Sequence, residues 1–176
     1  MPRIRPIPKE RAAHICRMLY ENTEKEAGST PNVFRTMAHR PELLVTFGNF
    51  YRELWTGGVL ERKTKEMVAL RVAALDACQY WHARHLISAR EAGLNGVQVA
   101  AVSSGEWEKS AEFGEQEKAV LRFVDKVVVE PNRISDADMA TLRKWFGESH
   151  LTELVLLVGT MSLLDRFAST FALELP

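Results

Sequence analysis

An all-α fold is predicted for this chain by three features. Glycine and proline cut it into segments of helical length. Within those segments apolar positions recur at helical spacing, and nowhere does a run alternate in the way a half-buried strand would. The 176 residues suit one domain at roughly 100–200 residues per domain. About eight helices are expected. The breaks fall at Gly28 to Pro31, Pro41, Gly57-Gly58, Gly93 to Gly96, Gly105, Gly114, Pro131-Asn132 and Gly147. No repeat, linker or low-complexity tract divides the chain further.

Taken in order, residues 1–8 carry Pro2, Pro6 and Pro8, which suit an extended arm laid over a neighbour rather than a helix. The first twenty residues hold Arg3, Arg5, Lys9, Arg11 and Arg17 but no apolar run of seven, so no secretory signal is expected. Farther on, the stretch from Glu66 to His85 is apolar on opposite sides at 100° per residue. Val68, Val72 and Leu75 line one side, and Glu66, Leu70 and Ala73 the other. Such a helix packs between layers. Glu66 then reads either as a partly buried carboxylate whose pKa desolvation raises, or as an exposed first-turn residue beside Lys63 and Lys65. Asp76, with Gln79 three positions later, has the pattern of a capping box opening a new helix. That places Cys78 in the first turn, where free N–H groups and the helix dipole favour a thiolate.

Val120, Leu121, Val124, Val127 and Val128 paint one helical stripe, so the β-branched run at 127–129 is not read as a strand. Ser135 opens the next helix, with Asp136 and Asp138 in its first turn, and Gly147 closes it. Residues 151–175 are the most apolar stretch, but Glu153, Asp165 and Arg166 interrupt them below the ~20 apolar residues that a bilayer span needs. A helix this apolar is buried on most sides, by its own domain or by another subunit.

Composition narrows function by exclusion. The chain is 46% hydrophobic and 26% charged, and 23 basic residues balance 23 acidic ones for a net charge of zero. No electrostatic footprint for nucleic acid or an anionic membrane results, and neither is expected as a partner. Two cysteines, Cys16 and Cys78, make no disulfide framework and fit a reducing, cytoplasmic compartment. No phosphate-binding glycine loop, nucleophile elbow or His-Glu-x-x-His is present, so no nucleotide cofactor is expected.

What remains is a cluster. His82 lies four positions after Cys78 and His85 seven, so the three can share one helical face, with Glu66 as a carboxylate nearby. The same three on one face would otherwise be a small core thiol with two solvated or capped imidazoles. As metal ligands they lack a fourth group and tetrahedral geometry, and no metal is expected.

These residues resemble the carboxymuconolactone decarboxylase and alkylhydroperoxidase D superfamily. The peroxidase branch carries a Glu, a Cys-x-x-Cys twelve positions on, and a His four positions after the second Cys. Glu66, Cys78 and His85 match that spacing, and Tyr80 stands at its frequent aromatic position. The run Thr30 to Leu44 resembles the entry to the family domain, and Met161 to Leu175 its end. The resemblance implies a small all-helical protein that assembles as a trimer or hexamer. Trp81 occupies the place of the second cysteine, so the intrahelical dithiol cannot form. Asp165-Arg166 stands where Asn-Arg is the expected pair.

On this resemblance the first function expected is that of a peroxidase-related oxidoreductase. The Cys78 thiolate would attack an organic hydroperoxide, His85 and Glu66 would relay protons, and an external thiol would reduce the sulfenic acid. Tyr80, Trp81 and His82 would line its small-molecule pocket. The alternative is a decarboxylase or related lyase acting on a carboxylated lactone or small acid, with Glu66 and histidine as acid and base and Arg71 or Arg84 holding carboxylate. A third possibility is an oligomeric binding protein without catalysis.

Overall fold

A computed structural model describes residues 1–175, apart from the side chains of residues 26 and 27. Nine α-helices and no strands occur among the described residues. They are α1 His14–Ala27, α2 Asn32–Met37, α3 Pro41–Arg52, α4 Arg62–Leu75, α5 Gln79–Glu91, α6 Gly96–Ser104, α7 Glu115–Val129, α8 Asp136–Leu142 and α9 Glu148–Thr170. The all-α expectation holds, with one helix beyond the predicted eight.

The organising element is α4. Every residue from Lys65 to Ala73 is buried, and the helix packs against α5, α6, α7 and α9. The two apolar sides in the sequence are the cause, because small and branched side chains at Val68, Ala69, Leu70, Val72 and Ala73 let helices approach from all directions. Each fully buried Val or Leu here contributes about 1.5–3 kcal/mol. Around α4, α7 buries the predicted stripe through Val120, Leu121 and Val124. Helix α8 opens on Ser135, whose hydroxyl accepts the Asp138 N–H, as expected. It ends at Leu142 rather than at Gly147, and Gly147 instead starts α9. A short α8 leaves five residues for the turn that aims α9 back through the core.

Helix α9 buries Leu151, Leu154, Leu157, Val158, Met161 and Leu164, while Val155, Leu156 and Leu163 stay exposed along its opposite side. No helix is long and apolar enough to cross a membrane among the described residues. The proline-rich residues 1–8 lie across their own chain: Arg3 N–H donates to the Phe171 carbonyl, Ile7 N–H to the Arg35 carbonyl, and Tyr20 Oη to the Ile7 carbonyl.

The α4–α5 corner departs from the predicted cap. Asp76 closes α4, Ala77 takes a left-handed conformation with φ of 50°, and Cys78 is itself the N-cap of α5. The chain turns this tightly because Cys78 N–H donates to the Ala73 carbonyl at 2.9 Å. With the turn made by the backbone, the Asp76 carboxylate is drawn toward Arg166 of α9, 3.5 Å away, instead of capping α5.

Candidate active site

Glu66 and His85 face each other across the α4–α5 hairpin. His85 Nδ1 lies 2.8 Å from Glu66 Oε2, and both side chains are buried. Ser88, one turn beyond His85, donates its hydroxyl to the same carboxylate oxygen at 2.7 Å. Burial pushes the Glu66 carboxyl up, but the hydrogen bonds from His85 and Ser88 and the positive charges of His85 and Arg62 outweigh it and hold the pKa below the ordinary glutamate value. This corrects the raised pKa expected from burial alone. An ionised carboxylate can only accept, so His85 Nδ1 carries the proton of this hydrogen bond. Nε2 is buried and has no partner among the described residues.

His85 and Glu66 open on a cavity of about 1070 Å³. One wall is aromatic. Tyr51 and Trp55 stack with ring centroids 5.6 Å apart and planes 7° apart. His85 lies 5.6 Å from Trp55 on one side and 5.6 Å from Trp81 on the other, nearly parallel to Trp81 at 23°. Trp55 reaches the wall because α3 runs on into a π-helical turn, Glu53–Gly57, whose wider winding carries its side chain round to the cavity. The other side is cationic, with Arg62, Lys65 and Arg84 among the lining residues. Lys65 is committed to structure: its ammonium donates to the Leu54 carbonyl and pairs with Glu153 at 2.9 Å. Glu153 in turn accepts from the Val59 and Leu60 N–H groups, which pins the loop after the π-helical turn to α9. Arg84 has no carboxylate partner among the described residues and is half-buried beside Tyr51 and Tyr80.

Cys78 is placed elsewhere. Its side chain is buried and is not part of the cavity wall. Burial pushes its thiol up to about 11; a backbone N–H at Trp81 opposes this, and the nearby Asp165 carboxyl adds to it. The low thiol pKa expected from a first-turn position is therefore not found, because the N-cap side chain is dry and lies near the Asp165 carboxyl, and the Trp81 N–H of the helix does not offset that burial. Asp165 is fully buried, and neither of its oxygens has a hydrogen-bond partner among the described residues. Burial, with the Asp76 charge adding, raises its pKa to about 7 against the opposing effects of Cys78 and Arg166.

The remaining predicted residues divide. Trp81 lines the cavity. Tyr80 is buried with its ring edge-on to Trp81 at 5.4 Å, outside the cavity wall. His82 turns away to Ser103, 3.0 Å from its hydroxyl, so the three-residue face of Cys78, His82 and His85 is not formed as one site. Arg71 is paired bidentately with Asp125 at 2.7 and 2.8 Å and donates to the Val102 carbonyl, which removes it as a carboxylate anchor. Cys16 is buried on α1, near Tyr20 and Glu42. No cluster of three or more histidine, cysteine or acidic side chains is arranged to hold a metal among the described residues. Sequence reasoning missed Ser88, Trp55 and Glu153. The first sits one turn from His85 and was detectable by spacing; the other two are brought in by tertiary packing.

Comparison with known proteins places this geometry in a family. Residues 41–126, which hold the whole Glu66–His85 pair, match the carboxymuconolactone decarboxylase family. The chain is 28% identical to YnjA of Escherichia coli K12 over 134 residues, 72% of this chain and 71% of that protein. It is 22% identical to YdfG of Bacillus subtilis 168 over 110 residues, 62% and 74% respectively. Among solved structures, an alkylhydroperoxidase D core, peroxidase-related protein from Ralstonia eutropha JMP134 superposes with a TM-score of 0.89 at 22% identity, covering 99% of this chain and 92% of that one. The debrominase Bmp8, in complex with 2,3,4-tribromopyrrole, does so with a TM-score of 0.84 at 19% identity, covering 98% and 91%. With its Glu–x₁₁–Cys–x₆–His spacing intact, the chain matches the carboxymuconolactone decarboxylase family over residues 41–126 and shares the all-helical fold of the alkylhydroperoxidase D core protein.

Proposed function

We propose that this protein is a proton-transfer enzyme, of the decarboxylase or lyase type, acting on a small carboxylated molecule. The observation that carries the reading is His85. Its Nδ1 is held by an ionised glutamate, and its Nε2 is buried beside the cavity and unpartnered. Nε2 takes a proton from the substrate, Glu66 and Ser88 stabilise the imidazolium that forms, and the same nitrogen returns the proton to carbon once the carboxyl group has left. Arg84, and Arg62 at the more exposed rim, supply the cations that hold the substrate carboxylate. Solved neighbours with peroxidase-related and debrominase names indicate that the fold serves more than one chemistry.

A peroxidase reading through Cys78 is supported by the peroxidase-related neighbours and opposed by the thiol's environment. Both readings meet in one experiment. The full chain and its His85→Asn and Cys78→Ser variants are incubated with a panel of carboxylated lactones and keto acids, and carbon dioxide release is followed. In parallel, the reduced protein is pulsed with an organic hydroperoxide in the presence of a sulfenic-acid trap. Loss of about 10²–10⁴-fold in rate in His85→Asn, with Cys78→Ser active, is expected for a general base. A trap adduct on Cys78, with hydroperoxide consumption abolished in Cys78→Ser, overturns the proton-transfer reading in favour of an external-thiol peroxidase.

A further inference from the structure

The cavity specifies more about its ligand than a carboxylate. Two buried polar atoms on adjacent rings of its wall are unsatisfied: Nε2 of His85 and the Nε1–H of Trp81. These rings are nearly parallel, with centroids 5.6 Å apart. With His85 as the base of the proposed function, its Nε2 needs a donor and Trp81 Nε1–H an acceptor, and leaving either unpaired in a buried site is costly. A hydroxyl is both at a single oxygen. Beside them, half-buried Tyr51 and Trp55 continue the aromatic wall, and Arg84 lies close to Tyr51. A flat conjugated frame covers such a wall better than a puckered one, since offset stacking needs coplanar atoms. The guanidinium of Arg84 takes a carboxylate in fork geometry.

We infer that the cavity binds planar, conjugated hydroxy-carboxylates, of aromatic or enolic type. The hydroxyl bridges His85 Nε2 and Trp81 Nε1, the frame lies along the Tyr51–Trp55 wall, and the carboxylate sits on Arg84. Trp81 is then a specificity-determining residue. It stands where a dithiol protein would carry a sulfur, and it replaces a nucleophile by a ring face and one fixed donor. The inference rests on the cavity and on His85 as the base of the proposed function, but it concerns binding and can be tested without turnover.

The test uses the full chain and three probes of similar size: 4-hydroxybenzoate, benzoate and cyclohexanecarboxylate. Affinities are read by calorimetry and by quenching of tryptophan fluorescence. The expected order is 4-hydroxybenzoate tightest, benzoate next and cyclohexanecarboxylate weakest, with about fivefold between the planar and saturated acids. Trp81→Phe keeps a ring but removes the donor, and is expected to erase the preference for the hydroxy acid. Arg84→Gln weakens all three probes by about tenfold or more. Equal binding of benzoate and cyclohexanecarboxylate by the unaltered protein overturns the inference, as does failure of every probe to saturate at millimolar concentration. If Trp81→Phe does not fold, the order measured on the unaltered protein still decides. Release of carbon dioxide from saturated acids alone would discard the ligand class and keep the proton-transfer reading. The expected order of affinities, combined with a Cys78-dependent peroxidase, would do the reverse.

Discussion

At the scale of single residues, the sharpest feature outside the cavity is Asp165. Full burial disfavours ionisation of this carboxyl, and its pKa of about 7 exceeds the ordinary 3.8. The folded state therefore binds a proton that the unfolded chain has already lost between pH 4 and 7. Its contribution to stability is fully present below about pH 4 and is lost as pH rises through about 7. Across that window the loss is at most roughly 4 kcal/mol, at 1.36 kcal/mol per unit. Asp165→Asn, uncharged and nearly the same shape, is expected to flatten the dependence and to raise the melting temperature at pH 8. Melting curves from pH 4 to 8 check this; an unaltered slope in the variant would assign the pH dependence to other groups. Asp165 and the low Glu66 pKa were both illegible in the chain. One-dimensional spacing identifies a carboxylate but not whether its neighbours in space are donors, as at Glu66, or another carboxyl, as at Asp165.

At the scale of elements, the cavity wall depends on a clamp between the loop after α3 and the second turn of α9. Lys65 and Glu153 are both buried, and each also satisfies backbone groups of residues 54–60. Breaking one partner leaves a buried charge, so Lys65→Met is expected to cost about 3–5 kcal/mol in denaturant unfolding. Gly58 sits against the same carboxylate: a Cβ there would run into Glu153 Oε1. Gly58→Ala is expected to cost about 1–3 kcal/mol and to move the Trp55 fluorescence, because the side chain at the wall is carried by the displaced loop. Stability and spectrum unchanged in Gly58→Ala would show that the loop has slack. The helices themselves were legible where apolar spacing or a Ser135-type cap was strong. The α4–α5 corner was misread for a physical reason. A backbone turn through left-handed Ala77 satisfied the local groups first, which left Asp76 free to pair with α9 and made Cys78 the cap.

At the scale of the whole molecule, α9 exposes Val155, Leu156 and Leu163 on one side, each roughly half accessible. Contiguous exposed apolar surface marks a contact. A homo-oligomer assembled on this stripe predicts that Leu156→Asp with Leu163→Asp lowers the sedimentation coefficient to that of a 176-residue monomer while the far-ultraviolet spectrum stays helical. An unaltered sedimentation coefficient would assign the stripe to another contact. Placing α9 against the α4 core also makes one unit of the clamp, the buried carboxyl and the corner that carries Cys78.

By itself the sequence determined the all-α class and most helix positions, and its resemblance to a known family pointed to Glu66 and His85. These depend on periodicity and on fixed spacings along one hairpin, which neighbouring residues enforce. Only the tertiary structure decided that Cys78 lies outside the cavity wall and near Asp165, that Arg84 and not Arg71 lines the cavity, and that Ser88, Trp55 and a Lys65 paired with Glu153 complete its walls. The reason is that burial, pKa and pairing are properties of the space between helices. A side chain's partner there is chosen by packing over distances of 20 to 90 residues, beyond the reach of local pattern.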